Sequence, residues 1–228
     1  MRYTHRVMHD LPVMLKVRGR RCVVVGGGQV AARRAKALLD AGAQVVVIAP
    51  QIAPELASLG VACVPRAYRP GDLAGAWLAV AATDDPAVNQ QVAQEAAQSG
   101  VLVNRADEPE AGDWTVPAHA HHGPVTLAVH TGGVSASAAA AIRRQLSAAL
   151  DPDWPVLLAA VAAYRDQVQR RFADPHLRRQ RLRKLTDEQA MNILKSQGVD
   201  ALRRYCESLA AGPDDSPAGG NLPQVDTP

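Results

Sequence analysis

Along the first hundred residues, short runs of apolar and β-branched side chains alternate with longer alanine-rich stretches. The runs are Cys22 to Val25, Val45 to Ala49, Val61 to Val64, Leu78 to Ala82 and Val101 to Asn104. Each is apolar throughout rather than alternating apolar with polar, which predicts strands covered on both faces, as in a parallel sheet with helices on either side. The segments between them, such as Ala32 to Leu39 and Val88 to Ala97, read as helices, so the rhythm is β-α-β and the predicted class is α/β. From Asp113 the rhythm changes. Trp114 to Ala118 and Val125 to Thr131 read as two strands about a His-Gly-Pro turn, followed by a helix from about Ser135 to Leu150. Beyond Pro155, residues Leu157, Leu158, Val161, Tyr164, Val168 and Phe172 recur at helical spacing, and shorter helices follow to about Leu209.

Composition narrows the picture. A chain of 228 residues that is 47% hydrophobic can bury a real core. Aromatic residues make up only 4%, so no stacking platform for single-stranded nucleic acid is on offer. Cys22, Cys63 and Cys206 are widely spaced and without a C-x-x-C, which argues against a disulfide framework or a zinc finger, fits a reducing cytoplasm and places the thiols in cores. Residues 1–10 lack an apolar signal region and no stretch reaches the ~18 apolar residues needed to cross a bilayer, so a cytoplasmic protein that uses no membrane is expected. Residues 142–205 carry 13 basic against 7 acidic residues, a basic surplus suited to an anionic ligand. Pro213, Pro217, Pro223 and Pro228 punctuate a polar tail over residues 212–228, which is expected to be disordered.

The chemistry is concentrated after the first strand. Val25 runs into Gly26-Gly27-Gly28-Gln29-Val30-Ala31, which is G-x-G-x-x-A between a strand and a helix. Gly26 allows the tight turn, Gly28 lets a pyrophosphate approach the backbone, and the small Ala31 lets helix pack on strand, with the helix N-terminus facing the phosphates. This is the dinucleotide-binding fingerprint of a Rossmann fold; a glycine-rich turn without a ligand is the plainer alternative. The second strand ends not in the usual Asp or Glu but in Pro50-Gln51. Gln51 can bond a ribose hydroxyl, and no Arg or Lys adjoins that strand end to meet a 2′-phosphate, which favours NAD over NADP. Thr83, after the fourth strand, can bond the cofactor, whereas Asp84 or Asp85 is read as the N-cap of the next helix. Asp107 follows the fifth strand at the same open edge of the sheet.

The strings Val24 to Ala31, Ala81-Ala82-Thr83-Asp84-Asp85 and Val103-Asn104-Arg105-Ala106-Asp107, with Leu11-Pro12 and Thr131-Gly132-Gly133, resemble the precorrin-2 dehydrogenase/sirohydrochlorin ferrochelatase family over roughly residues 10 to 205. The resemblance implies a Rossmann domain over residues 1–112, a dimerisation region over 113–150 and a helical module over 151–211. It implies a homodimer that binds a tetrapyrrole between these parts, NAD accepting a hydride from precorrin-2 to give sirohydrochlorin, and in some members insertion of Fe²⁺. Cofactor contacts would fall on Gln29, Val30, Pro50, Gln51 and Thr83. The key acid would be Asp107, as general base or metal guide; a loop carboxylate capping backbone N–H groups is its bland counterpart. The many carboxylates of such a substrate give the basic surplus a purpose. Arg143 and Arg144 are candidate partners, and Thr131, Gly132 and Ser135, leading into a helix N-terminus, could receive one carboxylate; capping by Ser135 and solvated arginines are the simpler readings.

Two features depart from the family pattern. The chain ends at Pro228 with no methyltransferase region, so no methyl transfer is expected of it. His119-Ala120-His121-His122 falls in the expected hairpin turn; His119 and His121 would share a side if the strand continued, but no carboxylate or cysteine completes a metal site, and a polar turn without metal is expected. A reading of another class is a non-catalytic NAD-sensing module whose helices control a partner. It accounts for the glycine loop and leaves Asp107 and the basic second half without a role. Nucleic-acid binding is a distant third, because the positive charge is modest.

Overall fold

The computed structural model of the chain describes residues 10–211; residues 1–9 and the tail expected over 212–228 lie outside them. Five strands, β1 (Arg21–Val25), β2 (Gln44–Ile48), β3 (Ala62–Val64), β4 (Leu78–Ala81) and β5 (Leu102–Arg105), form one parallel sheet in the order β3-β2-β1-β4-β5. The central β1 pairs on both sides, Val25 with Ile48 of β2 and with Ala81 of β4. Successive side chains of a strand point to opposite faces. Cys22 and Val24 accordingly join the cluster of Ala31, Ala35 and Leu38 from α1 (Gln29–Asp40) and Leu56 from α2 (Pro54–Ala57). Val23 and Val25 join Val92 and Ala96 from α3 (Pro86–Ser99) on the other face. The apolar runs of β1, β2 and β4 are doubly covered strands of this kind, whereas β3 lies at the edge. Because the order reverses between β1 and β4, a crevice opens at their carboxyl ends, where open α/β sheets bind ligands.

The loop between β3 and β4 is held by α3. Glu95 accepts from the Tyr68 hydroxyl, from Gly71 N at 2.9 Å and from Leu73 N at 3.0 Å. Burial, then Glu95, raises the Tyr68 pKa above the ordinary phenol value. Removing one acceptor that serves three donors should be costly: Glu95→Ala is expected to lower stability by about 2–4 kcal/mol, read as an earlier urea midpoint.

The described residues group into two units. The first holds those up to Pro117 with Thr131–Ser135, and the second holds Ala118–His130 and the residues from Ala136 onward. In the second, β6 (Ala118–His122) and β7 (Val125–Val129) form an antiparallel hairpin against which α4 (Ala136–Ala149) packs. The expected first strand, Trp114 to Ala118, is thus misplaced, and the histidines lie in β6 rather than in its turn. Two reasons are visible. Gly123, at φ +56, supplies the left-handed residue of a tight turn that pairs His122 with Val125. Residues 113–114 are tied instead to β5, through Asp113 N to Val103 O at 2.7 Å and Asn104 Nδ2 to Trp114 O at 2.8 Å.

Helices α5 (Asp153–Arg171), α6 (Pro175–Lys184) and α7 (Glu188–Ala210) enclose a core of Leu157, Val168, Leu185, Leu202 and Cys206. α7 is kinked at Gly198, where φ is +83. No single described helix is long and apolar enough to cross a membrane. Cys22 and Cys206 are buried, and burial pushes each thiol up to about 11. Cys63 is exposed, against expectation, because β3 is the sheet's edge.

Candidate active site

The glycines after β1 divide the work differently from one another. Gly26 has φ +130, and a Cβ there would lie 2.2 Å from Ala82 O. At Gly27 a Cβ would lie 1.8 Å from Gln51 O. These two let the turn nest between the ends of β2 and β4, where Gly26 N donates to Ile48 O at 3.0 Å and Ala53 N to Gly27 O at 2.9 Å. At Gly28 a Cβ would meet nothing within 4 Å. The open space that the sequence reading assigned to a ligand is therefore at Gly28; the tight packing at Gly27 went unread, since an x position in the pattern carries no signal.

Gly28 is also the N-cap of α1, with no side-chain cap and no acidic residue in the first turn. The N–H groups that start a helix have no partner within it and carry its positive end, so this terminus suits a pyrophosphate. It opens on a cavity of 830 Å³ lined by Gly26, Gly28, Gln29, Val30, Pro50, Gln51 and Thr83, all seven predicted cofactor residues, together with Tyr68, Asp84 and Asp85. That volume lies in the range of cofactor clefts. No Arg or Lys is among its lining residues. Thr83 shapes the wall: its hydroxyl lies 2.8 Å from Asn89 Oδ1 and 3.0 Å from Asp85 O, so its one proton is engaged inward. Asp85 is the N-cap of α3, accepting from Ala87 N at 2.8 Å.

Asp107 follows β5, with its side chain 26% exposed. Arg105 meets it with two bonds, Nε to Oδ1 at 3.1 Å and Nη2 to Oδ2 at 2.7 Å. That guanidinium, with help from the Asn89 amide, outweighs desolvation and holds the Asp107 carboxyl at about 2. Arg105, Asn89 and Gln90 were missed from sequence. The signal was an arginine ending a strand of a sheet covered by helices, where a buried guanidinium needs an acceptor close by.

The other expected residues fall on a loop of the first unit and on α4 and β6 of the second. In the Thr131–Ser135 loop, Ser135 N donates to Thr131 Oγ1 at 3.3 Å, and Gly132 and Gly133 have φ of +59 and +74. Arg143 and Arg144 stand on α4 in the second unit. The His119 and His121 rings are 5.6 Å apart on β6, with His121 Nδ1 3.0 Å from Thr126 Oγ1. Among the described residues, no three His, Cys, Asp or Glu side chains converge on a common point that could hold a metal.

A five-stranded parallel sheet with a ligand-ready glycine turn at its switch point defines an NAD(P)-binding Rossmann protein, and a family model for NAD(P)-binding domains matches residues 13–118. The siroheme synthase of Chromobacterium violaceum is 42% identical over 210 residues, covering 90% of this chain and 40% of that protein. The siroheme synthase of Thioalkalivibrio sulfidiphilus is 33% identical over 220 residues, covering 94% and 45%. The solved structure of SirC, a precorrin-2 dehydrogenase, superposes with a TM-score of 0.71 at 27% identity, covering 87% of this chain and 100% of that one. Over 87–94% of its length this chain is similar to siroheme synthases and to a precorrin-2 dehydrogenase. It spans less than half the length of the siroheme synthases it matches.

Proposed function

We propose that this protein is an NAD-dependent dehydrogenase that converts precorrin-2 to sirohydrochlorin in siroheme formation. The observation that carries the reading is the cavity at the carboxyl ends of β1, β2 and β4, where Gly28 leaves open space above an uncapped helix N-terminus, in a chain similar to SirC. The bound nicotinamide would supply the hydride acceptor. The first-turn N–H groups of α1 would hold the pyrophosphate, and Pro50 and Gln51 stand at the end of β2 for the adenosine ribose. No Arg or Lys lines the cavity to meet a 2′-phosphate, which supports NAD over NADP.

Asp107 contributes a fixed negative charge. Hydride loss leaves positive charge on the macrocycle, which an anionic carboxylate stabilises until a ring proton is lost to water; a group held at about 2 is itself a weak proton acceptor at neutral pH. The same charge suits reception of a cation, and this favours a second activity on the same proposal, insertion of Fe²⁺ as substrate. The Thr131–Ser135 loop, through Gly132 and Ser135, and Arg143 of α4 are the proposed receivers of substrate carboxylates. Ile142 and Leu146, 41% and 48% exposed on α4, support a homodimer.

Anaerobic mixing of the protein with precorrin-2 and either dinucleotide tests the reading. NADH should form, with kcat/KM for NAD at least about tenfold above that for NADP, since an unmet phosphate charge forgoes about 1.5–3 kcal/mol. NAD binding with no NADH on adding precorrin-2 would favour a sensing module instead.

A further inference from the structure

Arg105 ends β5 with its side chain only 4% exposed, beside Ala81 in the sheet. A guanidinium so far from water persists where its N–H groups are used. Nε and Nη2 go to the two oxygens of Asp107, and Nη2 also lies 3.3 Å from Glu108. Nη1 donates to Gln90 Oε1, on α3, at 2.7 Å. The arginine is thus braced from α3 on one side and presents a planar fork to Asp107 on the other. The neighbouring Asn89 is fully buried and donates to Thr83 O at 3.0 Å, and its nearby amide helps to keep the Asp107 carboxyl low. A carboxylate gripped at both oxygens cannot rotate freely, and a charged, bidentate pair is the strongest form of such a grip.

We propose that Arg105 is the positioning residue of this site: braced by Gln90, it fixes Asp107 in one orientation and in its anionic form, so that the acid faces the bound macrocycle as a stationary charge. The inference deepens the dehydrogenase reading and rests on it for the nature of the ligand; the grip on Asp107 can be measured without any ligand. The charged groups around Asp107 are Arg105 and, across the guanidinium, Glu108; α3 offers only the amides of Asn89 and Gln90, which do not titrate. Lysine brings a point charge to the same place but no fork.

The test uses the full chain, wild type and the variants Arg105→Gln and Arg105→Lys. Carbon-13 NMR follows the Asp107 carboxyl through a pH titration, and turnover of precorrin-2 with NAD is measured beside it. The wild-type carboxyl should stay ionised down to pH about 3, and in Arg105→Gln it should titrate one to two pH units higher, near the ordinary value of about 3.9. In that variant kcat should fall at least tenfold while the KM for NAD stays within twofold, and Arg105→Lys should recover only part of both losses. A folded Arg105→Gln protein whose Asp107 titrates unchanged would overturn the proposal. Should glutamine prevent folding, Arg105→Lys decides alone, because a lysine variant matching wild type in titration and kcat removes the need for a fork. A wild type that shows the depressed titration yet yields no NADH would refute the dehydrogenase reading while leaving the grip on Asp107 in place.

Discussion

Gly28→Val should leave the fold standing and abolish dinucleotide binding. Position 28 has φ −89 and ψ −170, extended backbone that valine adopts without strain, and its Cβ would touch nothing in the protein. The isopropyl group would occupy the approach to the first turn of α1. The loss in NAD affinity should be about a hundredfold or more by calorimetry, since several charge-assisted N–H contacts to the pyrophosphate are broken together. Gly27→Ala should do the opposite. Its Cβ collides with Gln51 O and with Ala49 Cβ at 2.9 Å, and backbone must move, which should cost about 1–3 kcal/mol or more and lower the melting temperature. Retained NAD affinity in a folded Gly28→Val protein would mean that the phosphates take another path.

Asp107→Ala should reduce turnover by about a hundredfold or more, the usual effect of removing one fixed charge from a reacting centre, with NAD affinity within about twofold of wild type. It should also destabilise the protein, because a buried Arg105 then keeps only Gln90 and a more distant Glu108. Breaking such a pair costs about 3–5 kcal/mol when both charges are buried, and less here because the Asp107 side chain is 26% exposed. Asp107→Asn retains the shape and part of the bonding, so it should lose activity with a smaller loss of stability; full turnover in that variant would remove the acid from the reaction. The pH dependence follows from the same pair. The folded carboxyl, at about 2, lies below the ordinary value, so the pair stabilises the fold above pH about 4 and that contribution disappears as pH falls from about 4 to about 2. Acid unfolding of Asp107→Asn should lack that portion of the slope.

The middle of the sheet was legible because its strands are short, apolar and buried on both faces: the predicted run of Cys22 to Val25 differs from β1 by one residue, and Leu78 to Ala82 from β4 by one. The ligand cavity was legible because glycines, unlike most residues, report backbone geometry directly. What stayed hidden depends on partners distant in sequence. Trp114 looks like a strand residue, yet its indole Nε1 donates to Leu102 O at 3.2 Å and holds that segment on β5. Gly27 looks interchangeable until Gln51 arrives against it. Arg105 reads as a surface charge until Gln90, fifteen residues earlier, is brought beside it. Thr83 lines the cavity as read, but the capture of its hydroxyl by Asn89 could not be seen from sequence.

α3 carries Asn89 and Gln90 near its start and Glu95 five residues later, about 8 Å along the axis. One stiff rod thus bears both the brace behind the anionic centre and the staple that sets Tyr68 in the cofactor wall. The spacing between those two ends is a ruler built into the protein, and the cavity wall and the acid are registered against the same piece of backbone.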